Sequence, residues 1–121
     1  LSDRYSFSHF EAGVNMIRPA TLADLDSLAG LEQRCFETDR ITRRQWRYML
    51  TKAHADILVA EDEQGMQGYV LVLYNGATSV ARLYSIAIDV RARGTGMSKH
   101  LVQAAEQAAR EQARAYMRLE I

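Results

Sequence analysis

The tightest constraint on this fold lies between Tyr84 and Ala109, in the run YSIAIDVRARGTGMSKHLVQAAEQAA. Leu83–Ile88 reads as an apolar strand, Arg91–Gly96 as a short basic turn with two glycines, and the alanine-rich run beyond it as a long helix. A strand feeding a glycine turn feeding a helix makes a site for phosphate. Glycine lets the backbone come close, and the helix's first unpaired N–H groups and positive dipole end face the anion. The remainder of the chain reads as the scaffold for this unit.

Composition narrows the classes. With 121 residues, 48% of them apolar and 25% charged, the chain is an ordinary globular domain near the small end of the range. Lys plus Arg and Asp plus Glu are 15 each, so no global field argues for nucleic acid or a membrane surface. The single cysteine, Cys35, excludes an intrachain disulfide and a cysteine-rich metal cluster, and with it a cytoplasmic location is expected. No apolar run reaches the roughly 18 residues of a membrane span.

Residues 1–15 read as an extension, tag or leader, because Met16 followed by IRPATLADL resembles a natural start. Tyr5, Phe7 and Phe10 fall near period 2 and leave open an added strand. Met16–Arg18 is expected as a short strand closed by Pro19. Thr21 opens a T-L-A-D capping box, and Leu22, Leu25, Leu28, Leu31 and Cys35 give the first helix its apolar face. Cys35 on that face is read as a small core residue. Thr42 opens a second box with Gln45, and Trp46, Met49, Leu50 and Ala53 form the buried side of the second helix. Arg40, Arg43, Arg44, Arg47 and Lys52 make this the most basic part of the chain, read as a solvated face in preference to a nucleic-acid patch.

Ile57–Glu61, Gly68–Tyr74 and Ala81–Ile88 follow as three strands joined by short turns, an antiparallel meander. Neither ILVA nor YVLVL alternates, so both faces of these strands should be covered. The last helix runs from about Met97 to Arg114, with Met97, Leu101, Ala104, Ala105 and Ala108 inward. Tyr116–Ile121 is a final strand, and its connection through a helix makes it a parallel neighbour of Leu83–Ile88. The expected architecture is α/β (α+β): strand, two helices, three strands, helix, strand, in one mostly antiparallel sheet whose last pair is parallel and splayed.

In this order of elements the chain resembles the GNAT superfamily of acyl-CoA-dependent N-acetyltransferases, over Met16 to Ile121. The family's phosphate signature, Arg/Gln-x-x-Gly-x-Gly/Ala, fits two registers here, Arg91–Gly96 and Arg93–Ser98. The helix phase selects Arg93–Ser98, because that register puts Leu101 and Val102 where the apolar helix core begins. It also aligns IAID with the family's Ile-Ala-Val-Asp strand end. Ser98 stands where glycine or alanine is usual, and Val90 where proline often follows the aspartate.

The resemblance implies specific roles. Arg93, Gly94, Thr95, Gly96, Met97, Ser98 and Lys99 would hold the pyrophosphate of acetyl-CoA. The edge of Ile86, Ala87 and Ile88 would pair with the pantetheine arm, and a main-chain N–H near Ile88 would hold the thioester oxygen. Glu120, in RLEI, matches the Leu-Glu-Val glutamate that looks like the general base of the ribosomal-protein-alanine N-acetyltransferase branch. Its other reading is a strand-end glutamate paired with Arg118 or Arg82. His54 and His100 have no spaced partners, so no metal is expected. Tyr69 and Tyr84 could line the acceptor side or serve packing alone.

Family members normally continue past this strand with a fourth helix and two more strands, which usually supply a tyrosine general acid. The chain is therefore expected to be truncated after its fifth strand, leaving open a homodimer or a further C-terminal domain. Its overall run is also similar to GNAT modules at the head of bacterial proteins that carry a peptidase-like domain. The function implied is acetyl transfer from acetyl-CoA directly to a primary amine. The alternative is a non-catalytic acyl-CoA-binding or regulatory module of a larger protein.

Overall fold

Two strands without polar alternation organise the structure, because each has to be covered on both faces. In the computed structural model, which describes Met16–Glu120, they are β2 (Ala55–Asp62) and β3 (Gly65–Tyr74). Residues 1–15, with the expected extension and its aromatics, lie outside the described residues, as does Ile121. The other elements are β1 (Met16–Pro19), α1 (Leu25–Cys35), α2 (Arg43–Thr51), β4 (Val80–Ile88), α3 (Met97–Glu111) and β5 (Tyr116–Leu119). Short 3-10 turns at Leu22–Asp24 and Val90–Ala92 precede α1 and follow β4. The sheet runs β1-β2-β3-β4-β5, antiparallel throughout except for the parallel β4–β5 pair. This is the expected topology.

One face of the sheet carries α3. Leu58, Val70, Val72 and Leu83 meet Met97, Leu101 and Ala105 there. The other face carries α1 and α2, where Leu28, Leu31 and Trp46 meet Val59, Tyr69 and Leu71. Trp46 and Tyr69 pack edge to face with ring centroids 5.0 Å apart, the geometry that aromatic quadrupoles favour. Gly68 allows α3 to close on the sheet: a Cβ there would lie 2.9 Å from the Ala87 carbonyl oxygen and 3.2 Å from a Leu101 methyl.

Local capping sets the helix starts. The Thr42 and Gln45 side chains each bind the other's backbone N–H, at 3.1 and 2.8 Å. At the first helix the Thr21 N–H donates to Asp24 at 2.7 Å, but the turn that follows is 3-10 and leaves Leu22 45% exposed. Leu22 therefore falls off the apolar face expected of it. Asp24 is drawn instead into an ion-pair network, where Arg18 bridges it at 2.8 Å and Glu61 at 2.9 Å. The hydrogen bonds from Arg18 hold the Asp24 carboxyl below its ordinary range against the opposing effect of burial. The last helix ends at Glu111, short of Arg114, and Ala113 takes a left-handed φ of 59° at the exit.

The β3–β4 pairing carries the irregularity that matters for the site. Leu71 pairs with Ser85 and Val72 with Leu83, so Tyr84 is an extra residue, a β-bulge. A bulge bends its strand and sharpens the local twist. Pairing of β4 with β5 covers Val80–Leu83 and stops at the bulge, with a last bond from the Glu120 N–H to the Leu83 carbonyl at 3.0 Å.

Candidate active site

The turn after β4 is built by two left-handed glycines. Gly94 has φ 82° and Gly96 φ 85°, and a Cβ at either would meet nothing within 4 Å. The backbone angle, not crowding, is what calls for glycine there. Gly96 caps α3, and the first helical bond is from the His100 N–H to the Gly96 carbonyl at 3.2 Å. The N–H groups of Met97, Ser98 and Lys99 thus precede the helical ladder and stand at its positive end. Leu101 is fully buried while Ser98 and Lys99 lie at the surface, which is the helix phase that the Arg93–Ser98 register requires.

The flanking residues brace this turn. The Thr95 hydroxyl donates to the Ala92 carbonyl at 2.6 Å. Arg34 reaches from α1 to the buried Asp89 at 2.9 Å, and the Arg91 N–H donates to the same carboxylate. Burial works to raise the Asp89 pKa, but these contacts outweigh it and hold the carboxyl below its ordinary value. Arg93 Nε donates to the Ile88 carbonyl at 3.1 Å, and the Cys35 thiol lies 3.5 Å from that oxygen. Cys35 is half-buried on the expected face of α1, tied to the end of β4. A cavity of about 620 Å³ lies behind the turn, lined by Arg34, Gln64, Asp89 and Arg91 among others.

Beyond Leu83, β4 has a strand partner on one side only among the described residues. The Asp89 N–H donates to Gln67 of β3 at 2.8 Å. Successive N–H groups of a strand point to opposite edges, so those of Ile88 and Ile86 face away from β3 toward the β5 side. Ile86, Ala87 and Ile88 therefore lead directly into the glycine turn with an edge of backbone donors beside it.

Glu120 sits at the other end of this edge. The β4–β5 register places it beside Tyr84. At about 3.3 Å per residue, Ile88 is then roughly 13 Å further along the strand and Ile86 roughly 7 Å. The oxyanion donor expected near Ile88 lies far from Glu120, and Ile86 is the nearer backbone N–H. Arg82 holds Glu120 through two bonds of 3.0 Å, and Arg118 adds bonds of 3.0 and 3.2 Å. The Arg82 hydrogen bonds, followed by those from Arg118, hold the carboxyl below its ordinary value.

The pairing of Glu120 with Arg82 and Arg118 is the alternative expected for it from the sequence, whereas two residues with a bearing on this site, Ser85 and Glu32, escaped the sequence reading. Glu32 is buried at 2% exposure and accepts from the Tyr69 hydroxyl at 2.6 Å and the Ile41 N–H at 2.7 Å. Its position was legible, since Leu25, Leu28, Glu32 and Cys35 share the 3.6-residue stripe of α1. Of the two tyrosines, Tyr69 is fully buried with its hydroxyl bonded, and Tyr84 is 42% exposed at the bulge. His54 pairs with Gln112 at 3.2 Å. Among the described residues no cluster of three or more His, Cys, Asp or Glu could hold a metal ion. No helix among them is long and apolar enough to cross a membrane.

A family model described as an acetyltransferase (GNAT) domain matches residues 21–121. The chain belongs to the GNAT acetyltransferase family. Its fold is that of the ribosomal-protein-S18-alanine N-acetyltransferase of Escherichia coli, with a TM-score of 0.77 at 17% identity over 88% of this chain. The GNAT domain here spans 66% of that enzyme's length. The ribosomal-protein-alanine N-acetyltransferase of Brucella melitensis biovar Abortus 2308 gives 0.71 at 18% identity, over 88% of this chain and 80% of its own. The aminoglycoside 6'-N-acetyltransferase AAC(6')-Ih of Acinetobacter baumannii gives 0.74 at 22%, over 88% and 79%. No curated protein sequence matches the chain.

Proposed function

We propose that this GNAT domain transfers an acetyl group from acetyl-CoA directly to a primary amine on a protein N-terminus, a peptide or a small molecule. One observation carries the reading: the open β4 edge at Ile86–Ile88 runs straight into the left-handed Gly94–Gly96 turn and the start of α3. A nucleotide-linked thioester needs both in sequence, backbone donors for an extended amide arm and then N–H groups and a helix end for its pyrophosphate. The N–H groups from Gly94 to Lys99 would take the phosphates, with Lys99 adding charge. Arg93 contributes chiefly by tying the turn to Ile88, since its Nε is already engaged there.

The chemistry then follows from position. The amine lone pair attacks the thioester carbonyl carbon, a C–N bond forms, the C–S bond breaks, and CoA leaves as the thiolate. The Ile86 N–H would stabilise the oxygen as it gains charge. An amine with a lysine-like pKa near 10.4 is neutral in only about one molecule in a thousand at pH 7.4, so a proton acceptor at the site matters. Glu120 is that acceptor, directly or through one water. Its two guanidinium partners weaken it as a base, and an incoming ammonium group competes with them for the same oxygens. No enzyme nucleophile is needed.

The saturation of Glu120 favours one second reading, a non-catalytic acyl-CoA-binding module. Calorimetry with acetyl-CoA on the full-length protein, followed by an acceptor screen, separates the two. Binding with turnover supports the enzyme; a raised melting temperature with no acceptor acetylated supports the binding module. If the protein is an enzyme, Glu120→Gln should lower amine acetylation at pH 7 by about a hundredfold or more, the usual scale of general-base catalysis. Unchanged rates across pH remove Glu120 from the mechanism.

A further inference from the structure

The hydrogen bonds behind β4 have a direction, and they start at the proposed reaction site. Glu32 is 2% exposed and Tyr69 fully buried. The Ile41 N–H donates to one Glu32 oxygen at 2.7 Å, and the Tyr69 hydroxyl donates to the other at 2.6 Å. A phenol has one proton. With that proton given to Glu32, the 2.7 Å contact between Tyr69 and Ser85 requires the proton of Ser85. Burial, followed by the Glu32 contact, pushes the Tyr69 phenol far above its ordinary range, so it remains a hydroxyl at physiological pH.

The chain therefore runs Ser85 to Tyr69 to Glu32, and only lone pairs are left on Ser85 for anything outside. Ser85 is half-buried and pairs with Leu71, on the α1–α2 face of the sheet. Arg82, opposite Leu73, belongs to the same face. The bulge at Tyr84 places Ser85 directly after the residue that stands beside Glu120. A serine in open solvent donates or accepts at will; this one is wired to accept.

Resting on the N-acetyltransferase reading, we infer that Ser85 Oγ accepts a hydrogen bond from the N–H of the acceptor amine, with Tyr69 and Glu32 as positioning residues that fix its polarity. Together with Glu120, it offers two acceptors and no serine donor to the incoming group. A primary amine, rich in N–H, satisfies both.

The test is steady-state acetylation of a primary amine by the full-length protein, with KM measured separately for the amine and for acetyl-CoA. Ser85→Ala should raise the amine KM about tenfold, the scale of a hydrogen bond to a charged group, while the acetyl-CoA KM stays fixed. Ser85→Thr should restore it. If Ser85→Ala fails to fold, Ser85→Cys, close in size and a weak acceptor, takes its place. An unchanged amine KM overturns the assignment, as does a parallel rise in both KM values, which would make Ser85 a support for the strand. Wild-type protein that transfers no acetyl group overturns the enzyme reading and this inference with it, before any variant is made.

Discussion

The two halves of β4 follow one another in sequence, yet they do different work. Ala81–Leu83 is paired on both edges, to β3 and β5, with Ala81 and Leu83 fully buried. Past the bulge at Tyr84 the strand keeps β3, and among the described residues its second edge there has no strand partner beside the glycine turn. One extra residue separates scaffold from site. Changes on the closed side should lower stability and spare cofactor affinity. Changes on the open side should do the reverse.

The largest effect is expected on the closed side. Leu83→Ala empties a fully buried position in the closed half, against α3, and should cost about 2–5 kcal/mol in urea unfolding. Below its unfolding range the folded variant should bind acetyl-CoA as the wild type does. Next comes the open side. Gly96→Val puts a β-branched residue at φ 85°, a strain of about 1–3 kcal/mol that the turn relieves by rotating its N–H groups away. Acetyl-CoA affinity should drop about tenfold to a hundredfold by calorimetry, with the urea midpoint changed less than in Leu83→Ala.

The smallest effect uses pH to compare two carboxylates with guanidinium partners. Asp24 has its folded pKa depressed by Arg18. It contributes stability above its unfolded pKa of about 3.9, lost as pH falls through the lower folded value. The stability gap between wild type and Asp24→Asn should be full at pH 6 and close below pH 4. Glu120 is depressed as well, but it sits at an exposed strand end, so its substitution should appear in rates and leave unfolding nearly unaffected. A large stability loss in Glu120→Gln would erase the distinction between the two clusters.

How much was legible in the sequence follows how local each feature is. The Thr42–Gln45 box, the doubly buried strands and the phase of α3 at Leu101 depend on residues within a turn or two of one another, and all stand as read. Leu22 was misplaced because Asp24 answers to Arg18 and Glu61, the latter 37 residues away along the chain. The bulge at Tyr84 leaves no mark in its own strand, since it exists only relative to β3. Glu120 was found by resemblance, and its pairing with Arg118 or Arg82 was the alternative expected; that both guanidinium groups hold it at once depends on the β4–β5 register. Ser85 looked like an ordinary strand residue because its meaning is set by Tyr69 and Glu32 on two other elements.

The central claim is that the open half of β4 and the glycine turn act as one cofactor site. Titration calorimetry comparing acetyl-CoA with ADP 3'-phosphate, which keeps the phosphates and lacks the pantetheine arm, tests it most directly. Acetyl-CoA should bind at least about tenfold more tightly, since only it can use the Ile86–Ile88 edge. Equal affinities, or tighter binding of the nucleotide, would contradict the account.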